Sequence, residues 1–492
     1  MKVTDVGLAR RWALFSAVVV FAALIYWALE HVRTAWLLTH GHGGQFTLIF
    51  MVAFLLLIVQ MMMCFSERRF TTTAEQQDEL DKARLVVNVP AYNEDPEALK
   101  LCLASLLAQE RKPNCIHVVD DGSTVDYAGV RQWFEDAAAG RGIEAVWVRQ
   151  PNAGKRHAQG RTIADTPDAD FYLTVDSDAM LTEDSVREGL KPFADPRVQS
   201  VAGVVLVSNR VNVLTWMTDL WFVVGQLVDR SSMSSVGGVL VNSGALAFYR
   251  GALLRDNLDG YLNEEFFGRR VELSDDSMLT IYALARGRAV QQPTSFAFTL
   301  MPEKWSHHRR QYLRWMRGAF IRSFWRFRYL RLNSWAYWLH FIGWVQMAMS
   351  TITFVVFFVY MPVVSPHVIP YLMTIPALVG YGQATRYFMV KRADTPFRVQ
   401  FAVYLATPVL TLYTFLVLRF FRLYAIATCL KTGWGTRQQV ESLTTGESSV
   451  ASVLPEPIAI QAEVAAAEMR EGRHRFDQVL RADAPLERAF AD

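Results

Sequence analysis

The chain has 492 residues, of which 52% are hydrophobic and only 20% are charged. That composition supports a large buried core and excludes a disordered or fibrous protein. Lys and Arg number 50 against 47 Asp and Glu, a net charge of +3. This is too mild to indicate nucleic acid and suits an anionic membrane face or a phosphorylated substrate.

The apolar residues gather toward the two ends and leave a charged middle, the profile of a soluble domain set between membrane spans. Residues 12–29 and 46–65 are apolar runs, each long enough to cross a hydrocarbon core of about 30 Å at about 1.5 Å per residue. Lys2, Arg10 and Arg11 precede the first run, Arg33 alone is basic in the linker, and Arg68 and Arg69 follow the second. The positive-inside rule then predicts a cytoplasmic N-terminus and a cytoplasmic domain from residue 68 onward. The second run follows at once and no clear cleavage site intervenes, so the first run is expected to be an uncleaved anchor.

Residues 67–300 read as a soluble α/β domain. Residues 85–89, 116–119 and 171–175 are short apolar runs with β-branched members, separated by helix-like patterns such as 96–109. This alternation predicts a mostly parallel sheet, whose ligands sit at the carboxyl ends of its strands. Polar motifs fall at those ends. Val89-Pro90-Ala91-Tyr92-Asn93-Glu94 offers an aromatic and a carboxylate to a planar base. Val119-Asp120-Asp121-Gly122-Ser123 holds adjacent carboxylates, which need donors or a cation if buried; Asp121 or Ser123 could equally cap the next helix. Asn152-Ala153-Gly154-Lys155-Arg156-His157-Ala158 brings positive charge to a helix start, where a phosphate could sit, or forms a solvated basic turn. In Asp176-Ser177-Asp178 the carboxylates are two apart and face the same way, so they can converge on one hard cation bridged to a diphosphate. Asp275-Asp276 opens a helix over 277–285; one of the pair, if not a cap, can serve as general base toward a sugar hydroxyl.

Residues 213–229 and 305–332 mix Trp, Phe and Tyr with Arg, the composition of an amphipathic helix lying at the headgroups or, for the second, of a soluble basic helix. On the latter, Gln311 and Arg314 are i, i+3 neighbours and Trp315 is i+4 from Gln311. They could close over a sugar and its pyrophosphate, or act as a membrane-belt Trp with snorkelling Arg. Apolar segments 335–364, 368–390 and 399–430 follow. The loop Ser365-Pro366-His367 lacks Lys and Arg and is expected outside; Lys391, Arg392 and Arg398 mark the cytoplasmic side. One further crossing would put Arg419, Arg422, Lys431 and Arg437 outside, against the charge rule. A hairpin broken near Pro408, or a re-entrant piece, would return Trp434 to Arg437 to the cytoplasm. The tail after Arg437 has ten acids and five bases and carries no interpretable motif. Cys64, Cys102, Cys115 and Cys429 lack metal-ligand or disulfide spacing and read as reduced packing residues.

Taken in order, these motifs, with Asn242-Ser243-Gly244 and Trp434-Gly435-Thr436-Arg437, resemble processive family 2 glycosyltransferases. The chain most resembles the hyaluronan synthase, chitin synthase and nodulation chito-oligosaccharide synthase branch, over roughly residues 10–437. The resemblance implies an α/β GT-A domain inserted between α-helical transmembrane segments, with amphipathic interfacial helices, a UDP-sugar donor and Mg²⁺ or Mn²⁺. The divisions expected are two N-terminal spans (1–66), a cytoplasmic GT-A domain (67–300), an interfacial helix (301–334), a C-terminal membrane region (335–430), and a closing loop with a polar cytoplasmic tail (431–492). Carried over, Tyr92, Glu94, Asp120, Asp121 and Lys155 hold the nucleotide, and Asp176 and Asp178 serve the diphosphate and metal. Asp276 is the base. Gln311, Arg314 and Trp315 bind the acceptor end and donor diphosphate, and Trp434 and Arg437 help close the site.

The implied enzyme is a multi-pass protein of the plasma (inner) membrane. It inverts the donor, polymerises UDP-GlcNAc with or without UDP-GlcA onto a growing polysaccharide, and exports the β-linked product. A non-processive enzyme loading one sugar onto a lipid phosphate is the alternative. Two departures bear on acceptor or polymer identity more than on reaction class. Relatives usually have Arg where this chain has Ser277, and often Pro where it has Ala245.

Overall fold

The computed structural model describes residues 3–5, 8–41, 44–364, 366 and 369–433. Two apolar helices come first, α1 (Leu8–His40) and α2 (Gly44–Ser66). Val3–Asp5, just before α1, pairs antiparallel with Val390–Arg392, nearly 400 residues later.

The central domain is built on an eight-stranded sheet of β1 (Leu85–Ala91), β2 (Cys115–Asp120), β3 (Glu144–Arg149), β4 (Phe171–Thr174), β5 (Met180–Leu181), β6 (Val198–Val207), β7 (Ala247–Arg250) and β8 (Arg288–Thr299). Their spatial order is β3-β2-β1-β4-β7-β6-β8-β5. Strands β3, β2, β1 and β4 run parallel, as do β6 and β8. The expected mostly parallel sheet is in fact mixed, because β7 is inserted antiparallel between β4 and β6, and β5 runs antiparallel to β8.

Side-chain alternation builds the two faces. Val87 and Val89 pack with Leu99, Leu103 and Phe134 of helices α3 (Pro96–Leu107) and α4 (Ala128–Ala139). Val86 faces the other way, into a core with Ile163 of α5 (Lys155–Asp165), Tyr172 and Tyr249. Each such fully buried aliphatic side chain contributes roughly 1.5–3 kcal/mol. Helix α3 starts where its sequence says it should, with Asp95 accepting from the Glu97 amide and Pro96 in the first turn.

The far edge of the sheet carries α6 (Val213–Val224), opened by an Asn212/Thr215 capping box and continued by a π-helical stretch, Gly225–Arg230. Helices α7 (Asp275–Arg286) and α8 (Trp305–Tyr329) follow. The C-terminal helices are α9 (Trp335–Val355), α10 (Ile369–Ala384), α11 (Phe397–Leu405), α12 (Thr407–Tyr413) and α13 (Arg419–Ala427). The chain breaks between α11 and α12, next to Pro408. Among the described residues, three helical stretches are long and apolar enough to cross a membrane: Arg10–Leu38, Trp335–Tyr360 and Thr407–Ala427.

The C-terminal region is bolted to the sheet. Arg392 donates to Asp219 on α6 at 3.1 Å and to the Val207 carbonyl at 2.9 Å, and Tyr387 donates to Asp219 at 3.1 Å. Leu220 and Val223 of α6 pack with Val204, Phe298, Tyr387 and Leu410 in one cluster.

Candidate active site

The loops after β1, β2 and β4 meet at the carboxyl edge of the sheet. Asn93 takes a left-handed conformation (φ 47°). Its amide donates to Ser123 Oγ at 3.0 Å and its side chain accepts from the Thr124 amide at 2.8 Å, which ties the first two loops together. Glu94 is buried, and its Oε2 accepts from Ser177 at 3.1 Å. That bond turns Ser177 inward, while Asp176 and Asp178 on either side stay half-buried. Tyr92, in the loop after β1, is half-buried.

Asp120 accepts from the Ser123 amide at 2.9 Å and lies 3.6 Å from Arg149. Asp121 caps the loop that opens α5, accepting from the amides of Ala153 at 3.0 Å and Gly154 at 2.8 Å. Gly122 has φ 77°, and a Cβ there would come within 2.7 Å of the Asn152 amide nitrogen, so only glycine fits this crossing.

Lys155 is the centre of charge. Its Nζ lies 2.6 Å from Asp176 Oδ1 and 3.2 Å from Asp275 Oδ2. Burial disfavours its positive charge, but Asp176 and Asp275 outweigh that and hold its pKa above the ordinary lysine value. Asp275 is buried; burial pushes its pKa up, and Lys155 and Arg156 together bring it below the usual carboxylate value. Asp276 behaves oppositely. Burial and the neighbouring Asp275 charge push it up to about 6, against the pull of Lys155 and the Ser277 amide. Neighbouring carboxylates driven apart in this way are the arrangement expected of an acid–base site. Gly244 completes the floor: a Cβ there would sit 3.1 Å from Lys155 Nζ and 3.4 Å from Asp176 Oδ1.

Helix α8 lies directly on the turn before α7. A Cβ on Gly318 would fall 2.0 Å from Ser274 Oγ. Gln311, Arg314 and Trp315 precede Gly318 by seven, four and three residues and so share its face. The Trp315 ring lies 6.4 Å from Trp221 and 5.7 Å from Phe222, so the two aromatic–basic stretches meet. The chain after α13 also arrives here: Thr432 accepts from the Glu272 amide at 3.1 Å and Leu430 from Arg269 at 3.1 Å. Trp434 to Arg437, and the tail, lie outside the described residues.

Residues 83–318 match the family described as glycosyltransferase-like family 2. The hyaluronan synthase of Streptococcus pyogenes is 32% identical over 358 residues, 72% of this chain and 83% of that protein. The chain belongs to the family 2 glycosyltransferases. An N-acetylglucosaminyltransferase of Rhizobium meliloti (strain 1021) is 33% identical over 254 residues, covering 48% of this chain and 56% of its own. Among solved structures, a mannosyltransferase from Pyrobaculum calidifontis in complex with GDP-Man and Mn²⁺ is similar over 87% of this chain and 99% of its own, at 18% identity and a TM-score of 0.47. The S. aureus TarS 1–349 complex with UDP-GlcNAc covers 70% of this chain and 90% of its own, at 17% identity and a TM-score of 0.37. The α/β domain of this glycosyltransferase has the GT-A fold.

Among the described residues of this family 2 glycosyltransferase, no three His, Cys, Asp or Glu side chains gather as a metal cage. The donor set fits a different kind of site. Mg²⁺ and Mn²⁺ prefer oxygen ligands and are commonly held by one or two carboxylates plus substrate phosphates. Asp176 and Asp178 supply hard oxygens at one strand end. Asp178 Oδ2 has Thr299 Oγ1 at 3.3 Å.

Sequence reasoning missed several residues of this glycosyltransferase that surround the acid pair. Glu264 is buried and takes up Arg156 and Arg322. Arg230 donates to Ser243 Oγ at 2.7 Å beside Gly244. Ser277, already noted as a departure from the family pattern, donates its hydroxyl to Asp276 Oδ1 at 3.3 Å, beside an amide bond of 2.6 Å that any residue there could make. No local signal marked Glu264 or Arg230, which stand beside Asn263 and Glu265 and beside Asp229 and Ser231.

Proposed function

We propose that this glycosyltransferase is a membrane-integrated, inverting, processive polysaccharide synthase that uses UDP-sugars, UDP-GlcNAc with or without UDP-GlcA, and exports a β-linked polymer. One observation supports the reading most: Lys155 bridges Asp176 and Asp275, Asp276 is next in line, and Gly318 of the helix that carries Gln311, Arg314 and Trp315 packs on the turn before them. The apolar helices on both sides of the domain support the membrane setting. The hyaluronan synthase and N-acetylglucosaminyltransferase relatives support the product class and the donor sugar.

In this reading Tyr92, Glu94, Asp120 and Asp121 line the nucleotide pocket, and Lys155 turns from its carboxylates toward the donor phosphates. Asp176 and Asp178 would hold a Mg²⁺ or Mn²⁺ ion, whose charge offsets that of the diphosphate. Gln311 and Trp315 orient the acceptor sugar. Asp276 removes the proton from its hydroxyl as the oxygen attacks the anomeric carbon. The bond from that carbon to the phosphate oxygen breaks, its electron pair stays with UDP, and Lys155 and Arg314 stabilise the departing charge. A single displacement inverts the anomeric centre. Trp434 and Arg437 close the site, the domain faces the cytoplasm, and the polymer leaves between the spans.

The test is Asp276→Asn in purified enzyme supplied with UDP-GlcNAc alone and with UDP-GlcA, followed by chitinase or hyaluronidase digestion. Wild type yields an enzyme-digestible polymer, and the variant binds UDP and makes none. Polymer from the variant, or a solvent-extractable product carrying one sugar, overturns the reading.

A further inference from the structure

We propose that Glu264, Arg156 and Arg322 form a buried clamp that aims the acid pair at the acceptor helix, which makes Glu264 and Arg322 positioning residues for transfer. The proposal rests on the reading of Asp276 as base.

The clamp is complete on the page. Glu264 Oε2 accepts from Arg156 Nη1 at 2.7 Å and from Arg322 Nη2 at 2.9 Å. Its Oε1 accepts from Trp325 Nε1 at 2.7 Å and also from Arg322 Nη1. Both arginines then reach past the carboxylate to the same stretch of backbone. The Leu273 carbonyl accepts from Arg156 Nη2 at 2.8 Å and from Arg322 Nη2 at 2.9 Å, and the Ser274 carbonyl accepts from Arg322 Nε at 3.2 Å. Leu273 and Ser274 immediately precede Asp275 and Asp276.

That stretch needs holding. Ser274 sits at φ 53°, ψ 53°, a left-handed conformation in a residue with a Cβ. Such a conformation is unfavourable for a residue with a Cβ and persists only where the surroundings impose it. Here it turns the chain so that Asp275 and Asp276 open helix α7. Arg322, Trp325 and Gly318 all belong to α8, and Gly318 packs its backbone on Ser274. The clamp therefore joins three things: the strained turn, the acid pair, and the helix that carries Gln311, Arg314 and Trp315.

Stability alone is a poor reason for this cluster. Two guanidinium groups around one carboxylate, at 4%, 0% and 4% side-chain exposure, suffer heavy desolvation, and apolar replacements of buried ion clusters are often as stable or more so. What an apolar replacement cannot do is grip the carbonyls of residues 273 and 274 from two sides.

The experiment uses full-length enzyme in detergent or nanodiscs, with Glu264→Gln, Trp325→Phe, Arg322→Lys and Arg322→Met. UDP binding counts the folded donor sites, and initial rates of UDP release give donor KM and kcat per site. The expected result is a donor KM and UDP Kd within about twofold of wild type for each variant. The kcat per site falls about 100-fold in Glu264→Gln and about tenfold in Trp325→Phe, which removes one hydrogen bond to a charged group and keeps the packing. Arg322→Lys recovers part of the kcat lost in Arg322→Met. An unchanged kcat per UDP site overturns the proposal, because the cluster then serves folding alone; so does a parallel loss of UDP affinity. If Glu264→Gln does not fold, Trp325→Phe decides. An inactive Asp276→Asn beside clamp variants with full kcat removes the clamp and leaves the base; an active Asp276→Asn removes both.

Discussion

Lys155→Met tests the electrostatics of the site most directly. At an effective dielectric of about 20, unit charges 2.6 Å and 3.2 Å apart attract by roughly 6 and 5 kcal/mol. Desolvation cancels much of this, and solvent reaching half-buried Asp176 screens its pair further. The net loss on breaking the buried Asp275 pair is about 3–5 kcal/mol. The same charge holds down the Asp276 pKa, which stands at about 6. An opposite charge of this kind is worth about 1–3 pH units to a carboxyl group. The sign is fixed: without Lys155, Asp276 binds its proton more tightly, and the base form is lost at neutral pH. With a pKa of about 6, roughly nine-tenths of Asp276 is ionised at pH 7; at about 8, roughly one-tenth is. The measurement is kcat/KM for the UDP-sugar from about pH 5.5 to about pH 9.5, which reports the groups of the free enzyme. In wild type the acid limb is expected near 6. In Lys155→Met it moves alkaline by about two pH units, on top of a pH-independent loss from the missing phosphate contact, so only the part of the activity lost to protonation returns by about pH 9. A limb that stays near 6, with a loss equal at every pH, refutes the reasoning.

Asp178→Ala is expected to lower kcat/KM by about 100-fold or more and to flatten the dependence of UDP affinity on added Mg²⁺ or Mn²⁺, read by calorimetry. Gly244→Ala puts a methyl 3.1 Å from Lys155 Nζ; donor KM should rise about tenfold while thermal unfolding stays as in wild type. Arg392→Met leaves the fully buried Asp219 with Tyr387 but without its cation. It should cost about 3–5 kcal/mol in unfolding experiments, with kcat per folded enzyme retained.

Much of the site was legible because polar residues at strand ends follow from local pattern. The runs ending at Ala91, Asp120 and Thr174 are β-branched and apolar, so the motifs after them had to converge. Strand β7 was not legible: four residues behind a Ser-Gly loop carry no period. Strand β8 was hidden for another reason. Gln291, Gln292, Thr294 and Ser295 read as loop, yet they are buried because distant residues answer them. Gln292 donates to Glu188 at 3.1 Å and Gln291 to Glu67 at 3.2 Å. Glu264 was silent in the same way, since its partners lie 108 and 58 residues away. The motif reading also gave Lys155 to a phosphate, whereas here it neutralises two carboxylates.

The hydrogen bonds at the two ends of the last apolar segment fix its parity. Arg392 bonds the Val207 carbonyl and Thr432 bonds the Glu272 amide, and both partners belong to one α/β domain. Set in a bilayer with that domain on one side, residues 392 and 432 would share its side, and the number of complete traverses between them would be even. Helix α11, with nine residues, reaches only about 13 Å, too short for a traverse. Thr407–Ala427 has the length of a span, so an even count would require α11 and this stretch to form the broken hairpin expected near Pro408. The Val3–Asp5 and Val390–Arg392 ribbon imposes the same evenness on everything between them. Arg419 marks how deep the Thr407–Ala427 stretch goes, since it donates to Ser350 Oγ at 2.7 Å and Thr351 Oγ1 at 3.3 Å, well along α9.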